Sequence, residues 1–415
     1  MGQYFRTFLG FNRNGKIILS YTFFKGLTLA IQALVYNLFL LSLHFNSTLI
    51  GVLDAMPAVT VLLVSVPLGV LADRVGRKRL LLFCAFLNPF TLLGLGLFTA
   101  PGWQVFFGLA NGAVSSFYWI SYPAIIVESS TEADRQHLFS VNSLLLIGVG
   151  SLGYLLGGGV TALAAGVLRQ GADETGPLRW AMVATFVVGF LGAIPLLWLR
   201  EAPRDSRRTR ATRAYDVGLF ARLLGPDLLL SFGAGAVLSF NQLYFATGFK
   251  VSAGLLGVFL AVAGTVGALG SLASPALVGW LGAARAAILL QGGAVPLITA
   301  LALAPVLPVA LAVYAVWSFL RSAIDPTYTG FAMSRVSEGQ RSTLSGLYSV
   351  TWAVGFSSGP IMTGWLRGAT RGFAVPFLVA AGCYAVAALA LYILFVRGGR
   401  GQAPVAAARE TAAAR

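Results

Sequence analysis

Charged side chains are scarce in this sequence, because Asp, Glu, Lys and Arg together make up 10% of its 415 residues. In soluble domains about a quarter of the residues are charged, so the composition excludes an ordinary soluble protein. Hydrophobic residues make up 57% of the chain, and the mean hydropathy is +0.80. These values indicate an integral membrane protein.

Cysteine and histidine are also rare, with two residues of each. Cys84 and Cys383 fall within apolar runs and are interpreted as small buried hydrophobic residues, so no disulfide framework is predicted. The sequence contains no H-E-x-x-H motif and no nucleotide-binding loop of the form G-x-x-x-x-G-K-[ST]. We therefore expect neither metalloprotease chemistry nor direct use of ATP, and we predict no metal site and no cofactor.

Twelve apolar runs are long enough to cross a membrane, since the hydrocarbon core requires about 20 residues per helix. The sequence therefore predicts an all-α membrane protein with twelve transmembrane helices and no room for a separate catalytic domain. The runs lie at roughly 17–42, 49–71, 80–99, 104–126, 138–166, 178–199, 224–246, 253–278, 286–305, 308–333, 342–366 and 373–396.

Basic residues are distributed unevenly between these runs. With the N-terminus placed in the cytoplasm, 22 of the 29 Lys and Arg residues fall on that side and five on the other. Basic residues are retained in the cytoplasm, so both termini are predicted to be cytoplasmic. The net charge of +15 is then expected to face anionic lipid rather than nucleic acid. The arginine-rich composition favours a bacterial source, which predicts a multi-pass protein of the bacterial inner membrane.

The chain repeats itself with a constant offset of 206 residues. Gly76 falls on Gly282, and the loop segment 131–135 falls on 337–341. Matches in loops as well as in helices are not explained by shared hydrophobicity. Two six-helix bundles related by a parallel repeat are therefore predicted. The predicted boundaries are 1–199 for the first bundle, 200–223 for a basic linker, 224–396 for the second bundle and 397–415 for a cytoplasmic tail.

The loop after the second run reads GVLADRVGRKR, Gly69–Arg79. At every position it resembles the cytoplasmic signature of the major facilitator superfamily, G-x-L-x-D-R-x-G-R-[RK]-R. The resemblance implies two six-helix bundles with pseudo-two-fold symmetry, which work by alternating access around a central cavity. It also implies that the charges of this loop lock the inward-closed arrangement. The implied gating residues are Gly69, Asp73, Arg74, Gly76 and Arg77.

Two departures from patterns of that family bear on the function. Antiporters of the family carry G-P-x-x-G-G in the fifth helix, whereas this chain has Tyr154 in place of the proline, within Gly153–Gly158. The arginine that proton-coupled antiporters carry in the fourth helix falls on Gly108. Both differences weigh against standard multidrug antiport.

Arg321 and Asp325 stand one helical turn apart within an otherwise apolar run. Residues three and four apart share a helix face, so these two belong to one stripe with aromatic neighbours. Similar stripes occur in the first, fourth and seventh runs, which correspond to cavity-lining helices in the family that the chain resembles. The predicted substrate-binding residues are Lys25, Gln32, Tyr36, Asn111, Ser115, Trp119, Tyr122, Asn241, Gln242, Trp317, Arg321, Asp325 and Tyr328.

The ionic residues of the stripes indicate the kind of solute. A charge that faces lipid costs at least about 2.5–3.5 kcal/mol, so Lys25, Arg321 and Asp325 are predicted to face a shared cavity. Two cations and one anion suit a carboxylate or phosphate group on the solute. Asp325, interpreted as the only acid deep in any run, is the predicted proton-coupling residue. Two alternatives stay open: a structural Arg321–Asp325 pair, and a Lys25 side chain that extends to the inner membrane surface.

The sequence thus predicts a secondary active transporter, and not an enzyme, that moves a small organic solute by alternating access with coupling to protons. An anionic or polar metabolite is favoured. A drug or metabolite efflux antiporter of the same fold is the alternative, and a non-transporting sensor is disfavoured because no signalling domain follows the helices. The expected partners are the solute, protons and membrane lipid, and the protein is expected to act as a monomer.

Asp73→Asn should lower the rate of transport and leave solute affinity nearly unchanged. The reason is that the resemblance places Asp73 in the gate and not in the binding site. Solute uptake into membrane vesicles, measured as a maximal rate and a half-saturating concentration at equal protein level, checks this. A loss of affinity as large as the loss of rate would contradict the gating role.

Overall fold

The computed structural model describes residues 11–128, 135–200 and 217–397. Some helical side chains within 65–77, 119–147 and 338–342 lie outside that description. The described residues form twelve long helices and contain no strand. The helices are α1 (Arg13–Ser42), α2 (Ser47–Val75), α3 (Arg77–Leu97), α4 (Pro101–Glu128), α5 (Arg135–Leu168), α6 (Thr175–Ala193), α7 (Val217–Leu238), α8 (Ala253–Leu281), α9 (Ala283–Ala302), α10 (Leu307–Ser334), α11 (Glu338–Thr370) and α12 (Ala374–Leu391).

Short helical pieces extend three of these helices. A 3₁₀ turn, Ile194–Trp198, continues α6. The short helix Asn241–Leu243 and a π-helical turn, Tyr244–Gly248, follow α7. A second π-helical turn, Tyr392–Arg397, continues α12. Each of the twelve predicted runs therefore coincides with one helix and its extension.

The largest difference from the prediction lies at the start of α7. The apolar run was predicted to begin at 224, but the helix begins at Val217, within the segment predicted as linker. Its first turns are amphipathic, since Phe220 and Leu223 are buried whereas Arg222 is exposed. A mixed pattern of this kind lowers the local hydropathy without preventing a helix. A prediction based on apolar runs therefore missed the first two turns of α7.

Ten of the helices in the described part of the chain are long and apolar enough to cross a membrane. The other two, α4 and α11, have 28 and 33 residues and are also long enough. Helix α11 is rich in Gly, Ser and Thr, small residues that let neighbouring helices approach closely in membranes. The chain is therefore a multi-pass α-helical membrane protein, in which helices satisfy the backbone polar groups internally.

Packing divides the described residues into two compact units. The segments 201–216 and 398–415, which held most of the predicted linker and tail, lie outside the described residues. The predicted second bundle included 241–264, which pack with the first unit, so the predicted domain boundaries stay a prediction. Of the described residues, unit 1 contains 11–128, 135–200 and Asn241–Gly264, and unit 2 contains 217–240 and 265–397.

The predicted offset of 206 residues reappears in the backbone. Gly76, just before α3, has φ 104°, and Gly282, just before α9, has φ 76°. Positive φ values favour glycine, which has no Cβ to clash. His44 after α1 and Lys250 after the α7 extension also adopt positive φ, 61° and 57°. The same turns thus recur at equivalent positions of the repeat.

The same helix pairs also pack within each unit. In unit 1, α1 packs against α5 and α6, and α3 packs against α4 and α6; in unit 2, α7 packs against α11 and α12, and α9 packs against α10 and α12. Gly153 of α5 lies against the backbone of α1, and its counterpart Gly359 of α11 lies against the backbone of α7. A side chain at either position would meet main-chain atoms, so both close approaches depend on glycine.

Gly153→Ala should destabilise unit 1, whereas Gly159→Ala on the same helix should not. A Cβ at Gly153 would lie 2.7 Å from both Leu27 O and Ala30 Cβ, but a Cβ at Gly159 would meet nothing within 4 Å. Overpacking of this kind costs about 1–3 kcal/mol. Thermal unfolding of the purified protein in detergent measures the effect, and equal melting temperatures for the two variants would contradict the close approach.

Candidate functional site

Lys25 is buried inside unit 1, in the middle of α1. Its side chain is 6% exposed, and Nζ donates a hydrogen bond to Asn88 Oδ1 of α3 at 3.0 Å. The ammonium also lies 5.8 Å from the centre of the Tyr118 ring of α4, within the range of a cation–π interaction. The side chain thus turns toward α3 and α4 and does not extend along α1 to a helix end.

A chain of amide and hydroxyl groups continues from Lys25 across α3 and α4. Asn88 Nδ2 donates to Ser115 Oγ at 3.0 Å, and Asn111 Nδ2 donates to Thr91 Oγ1 at 3.1 Å. Thr91 in turn donates to the Asn88 carbonyl at 2.7 Å. The structure therefore brings together three predicted site residues, Lys25, Asn111 and Ser115, through two residues of α3 that the prediction missed.

A small cavity adjoins Lys25 between α1, α3 and α6. Tyr21, Phe24 and Thr28 line it from α1, and Asn88 lines it from α3. Among the described residues no carboxylate forms an ion pair with Lys25, so its charge is met only by an amide oxygen and a ring face. An uncompensated cation of this kind attracts an anion.

The remaining predicted residues of unit 1 lie away from this network. Tyr36 donates to Gln104 Oε1 of α4 at 3.3 Å, nearer the other end of α1. Gln32 is partly exposed. Asn241 and Gln242 are each 4% exposed, and within the described structure Gln242 Oε1 has no hydrogen-bond donor. These residues do not join Lys25 in one hydrogen-bonded cluster.

Arg321 and Asp325 form an ion pair in unit 2. Arg321 Nη1 lies 2.5 Å from Asp325 Oδ1, one turn along α10. The Arg321 side chain is 12% exposed and that of Asp325 is 58% exposed. In the part of the chain that is described, the buried Arg321 Nε–H has no acceptor. The guanidinium thus keeps one free donor beside an accessible carboxylate.

Asp227 on α7 is a second acid of this region, and the sequence prediction missed it. Its side chain is 3% exposed and accepts a hydrogen bond from Thr351 Oγ1 of α11 at 2.6 Å. The prediction that Asp325 is the only acid deep in an apolar run is therefore wrong. It failed because the late predicted start of α7 left Asp227 at the helix end, whereas it lies in the middle of Val217–Leu238.

The aromatic residues of the α10 stripe pack inside unit 2. Trp317 and Tyr328 are fully buried. Tyr328 donates its hydroxyl to the Leu223 carbonyl of α7 at 2.5 Å, and its ring packs against that of Tyr348 at 6.1 Å. Trp317 packs against Tyr314 with ring centres 5.5 Å apart. These contacts hold the face of α10 that carries Arg321.

The side chains of several predicted residues lie outside the described part of the structure. The side chains of Trp119 and Tyr122, predicted to bind substrate, lie outside the described residues. The same holds for the side chains of Asp73, Arg74 and Arg77, and for Gly69, all predicted to act in gating. Of the predicted gating residues only Gly76 is described, at the sharp turn between α2 and α3.

One short string in α11 matches a hydrolase motif. Residues 355–359 read GFSSG and match the G-x-S-x-G string of hydrolases, but they lie inside α11 and not at a strand-to-helix turn. Ser357 and Ser358 there donate to carbonyl oxygens of their own helix. Among the described residues no three His, Cys, Asp or Glu side chains cluster as a metal site would require.

Comparison with known proteins assigns the family. Residues 18–360 match the Major Facilitator Superfamily, which is more than half of the chain. The chain therefore belongs to this family, and the resemblance found in the Gly69–Arg79 loop is confirmed. With its membrane-spanning helices, it is a membrane transporter by family and fold. No sequence match was found among curated proteins.

Solved transporters share the fold at low sequence identity. A bacterial homolog of the human lysosomal transporter Spinster, in an inward-facing and unoccupied conformation, superposes with a TM-score of 0.76 at 17% identity, over 92% of this chain and 97% of that one. The nucleoside transporter NupG gives 0.71 at 16%, over 92% and 99%. A bacterial homologue of the iron transporter ferroportin gives 0.70 at 14%, over 92% and 98%. These likenesses show the fold.

Asn88→Ala should destabilise the protein by leaving the Lys25 ammonium without its side-chain acceptor. Losing the partner of a buried charged donor costs about 1–3 kcal/mol or more. Asn88→Asp is the matched control and should be tolerated better, because a carboxylate next to the ammonium forms a charge-assisted hydrogen bond.

The coupling between the two residues is measured by a double-mutant cycle. In a Lys25→Met background, Asn88→Ala should lower the melting temperature less than it does in the wild type. Equal decreases in the two backgrounds would show that the Asn88 contribution does not depend on Lys25.

Proposed function

We propose that this protein is a secondary active transporter that moves a small anionic or polar organic solute across the cell membrane by alternating access, with coupling to protons. The proposal goes beyond the family in three respects, which are the charge of the solute, the coupling ion and the location in a bacterial inner membrane with cytoplasmic termini.

The observation that carries the proposal is the state of Arg321. Its guanidinium is buried within a membrane-spanning helix, pairs with a carboxylate that is largely exposed, and keeps a free Nε–H. Guanidinium groups bind carboxylate and phosphate through two parallel hydrogen bonds. An incoming anionic solute can therefore use the free donor and compete with the accessible Asp325 for the arginine.

Lys25 is a second buried cation that we propose contacts the solute. It lies in unit 1 beside its cavity, hydrogen-bonded to Asn88 without a carboxylate partner in the described structure. We assign Lys25, Asn111 and Ser115 to a polar surface for the solute within unit 1. Within unit 2 we assign Arg321 and Asp325 to a second such surface, which Trp317 and Tyr328 support through packing.

Proton coupling is proposed for unit 2 because Arg321 forms an ion pair with Asp325 and also interacts electrostatically with the buried Asp227. Two acids that share a single cation do not both ionise at low cost inside a membrane. Taking up or releasing a proton at this cluster therefore changes how firmly Arg321 is held, which links the proton to the solute that the arginine binds.

The alternative within the same family is a drug or metabolite efflux antiporter. Tyr154 and Gly108 stand where antiporters of the family carry proline and arginine, which weighs against it. A thermal-shift screen of the purified protein against anionic, cationic and neutral metabolites at two pH values separates the two. Stabilisation by anionic compounds supports an anionic solute, and stabilisation by lipophilic cations alone would overturn it.

Arg321→Ala should abolish the thermal shift given by anionic compounds and spare most of any shift given by their neutral analogues. Arg321→Lys, which keeps the charge but loses the planar fork of donors, should retain part of the anion response. Arg222→Ala removes an exposed arginine from α7 of the same unit and is the matched control. Equal losses for anionic and neutral compounds in Arg321→Ala would contradict the assignment.

A further inference from the structure

Asp227 sits in surroundings that do not compensate a negative charge. The acid lies at the middle of α7 with 3% of its surface exposed. The groups that bond its carboxylate directly are neutral hydroxyls of α11, Thr351 at 2.6 Å and Tyr348. Hydroxyl donors satisfy the oxygen atoms of a carboxyl group without neutralising its charge.

The groups that face Asp227 from the other packed helices include one cation. From α10, Arg321 and Asp325 act on it through space, and the Tyr328 hydroxyl lies nearby. From α12, Tyr384 is close to Arg321 and Asp325. The single cation of this set is already held by Asp325 at 2.5 Å. With both acids ionised the cluster carries one uncompensated negative charge, which is costly within the membrane.

We propose that Asp227 is the proton-carrying residue of this transporter and that Asp325 serves as the resting partner of Arg321. This inference deepens the proposed function and rests on its proton coupling. The sequence pattern assigned the proton to Asp325, and Asp227 replaces it in this role. The surroundings of the two acids carry the choice, because Asp227 is 3% exposed and bonded by neutral hydroxyls, whereas the charge of Asp325 is compensated by Arg321 at 2.5 Å.

Arg321 links the two acids. In the neutral state of Asp227, Arg321 pairs with Asp325 and its Nε–H stays unused. When Asp227 releases its proton, the O–H bond breaks, the electron pair stays on the carboxylate and the proton passes to water. The new anion attracts the guanidinium, which is then shared between α7 and α10. The affinity of Arg321 for an anionic solute thus depends on whether Asp227 carries a proton.

Infrared spectroscopy detects this proton without knowledge of the solute. The full-length protein in lipid should show, at neutral pH, the carbonyl-stretch band of a protonated carboxylic acid, and the band should decline as the pH is raised. Asp227→Asn should remove the band, and the matched variant Asp325→Asn should keep it. Absence of the band from the wild type, or its loss in Asp325→Asn alone, would overturn the proposal.

Thr351→Val provides a second variant that leaves the acid in place. Removing the hydroxyl donor to Asp227 should move the carbonyl-stretch band to higher frequency, because the carbonyl loses a hydrogen bond. A purely structural role for Asp227 would leave no titrating band to move. Because the acid is retained, the band can be followed in Thr351→Val even if Asp227→Asn does not yield folded protein. An unmoved band would contradict the role of Asp227.

Transport by proteoliposomes separates this inference from the proposed function. For an anionic compound identified by the thermal-shift screen, Asp227→Asn should lose accumulation driven by a pH gradient and keep solute exchange at equal pH. Accumulation that stays driven by the pH gradient in Asp227→Asn would reject the role of Asp227. If the wild type itself shows no dependence on the pH gradient, proton coupling fails, while the infrared band still reports whether Asp227 is protonated.

Discussion

The cost of placing an ionised group within a membrane constrains both units of this protein. Most of the chain is apolar helix, and its few buried ions must each find a partner, stay accessible to water or lose their charge. Lys25 has an amide and an aromatic face, Arg321 has a carboxylate, and Asp227 has hydroxyl groups. These three environments differ in how much charge they compensate, and that difference sets what each residue can do.

The two halves of the internal repeat share backbone turns and helix packing but carry different side chains at equivalent positions. The turns at Gly76 and Gly282 have the same hand, and the first helix of each repeat packs against the fifth and sixth. The ions, however, do not follow the offset of 206 residues. Lys25 corresponds to Ser231, and Arg321 corresponds to Ser115. The repeat thus shares helix packing but not the positions of its cations. Lys25 lies on α1, the first helix of the first half, and Arg321 lies on α10, the fourth helix of the second half.

Hydrophobic pattern was sufficient to predict the helices, because each run had to span the membrane. Spacing along a helix, which defines a shared face, also selected Lys25 and Ser115 as candidate site residues. Both bond Asn88 in the structure, and their role in binding a solute stays a prediction. Spacing does not define depth or partner, so it could not show that Asp325 is exposed. Asn88 was missed because α3 carries few polar residues and no stripe. Asp227 was missed because the amphipathic first turns of α7 resembled a linker.

The hydroxyl surroundings of Asp227 have a consequence for energy conversion. Any carboxyl group changes the net charge of its site by one unit when it ionises. At Asp227 the bonded partner Thr351 is a neutral hydroxyl, so no bonded cation offsets that charge. A charge that appears within the bilayer senses the electrical potential, at about 2.3 kcal/mol per 100 mV for the full membrane thickness. Voltage across the membrane would then bias the working cycle even when the pH is equal on both sides.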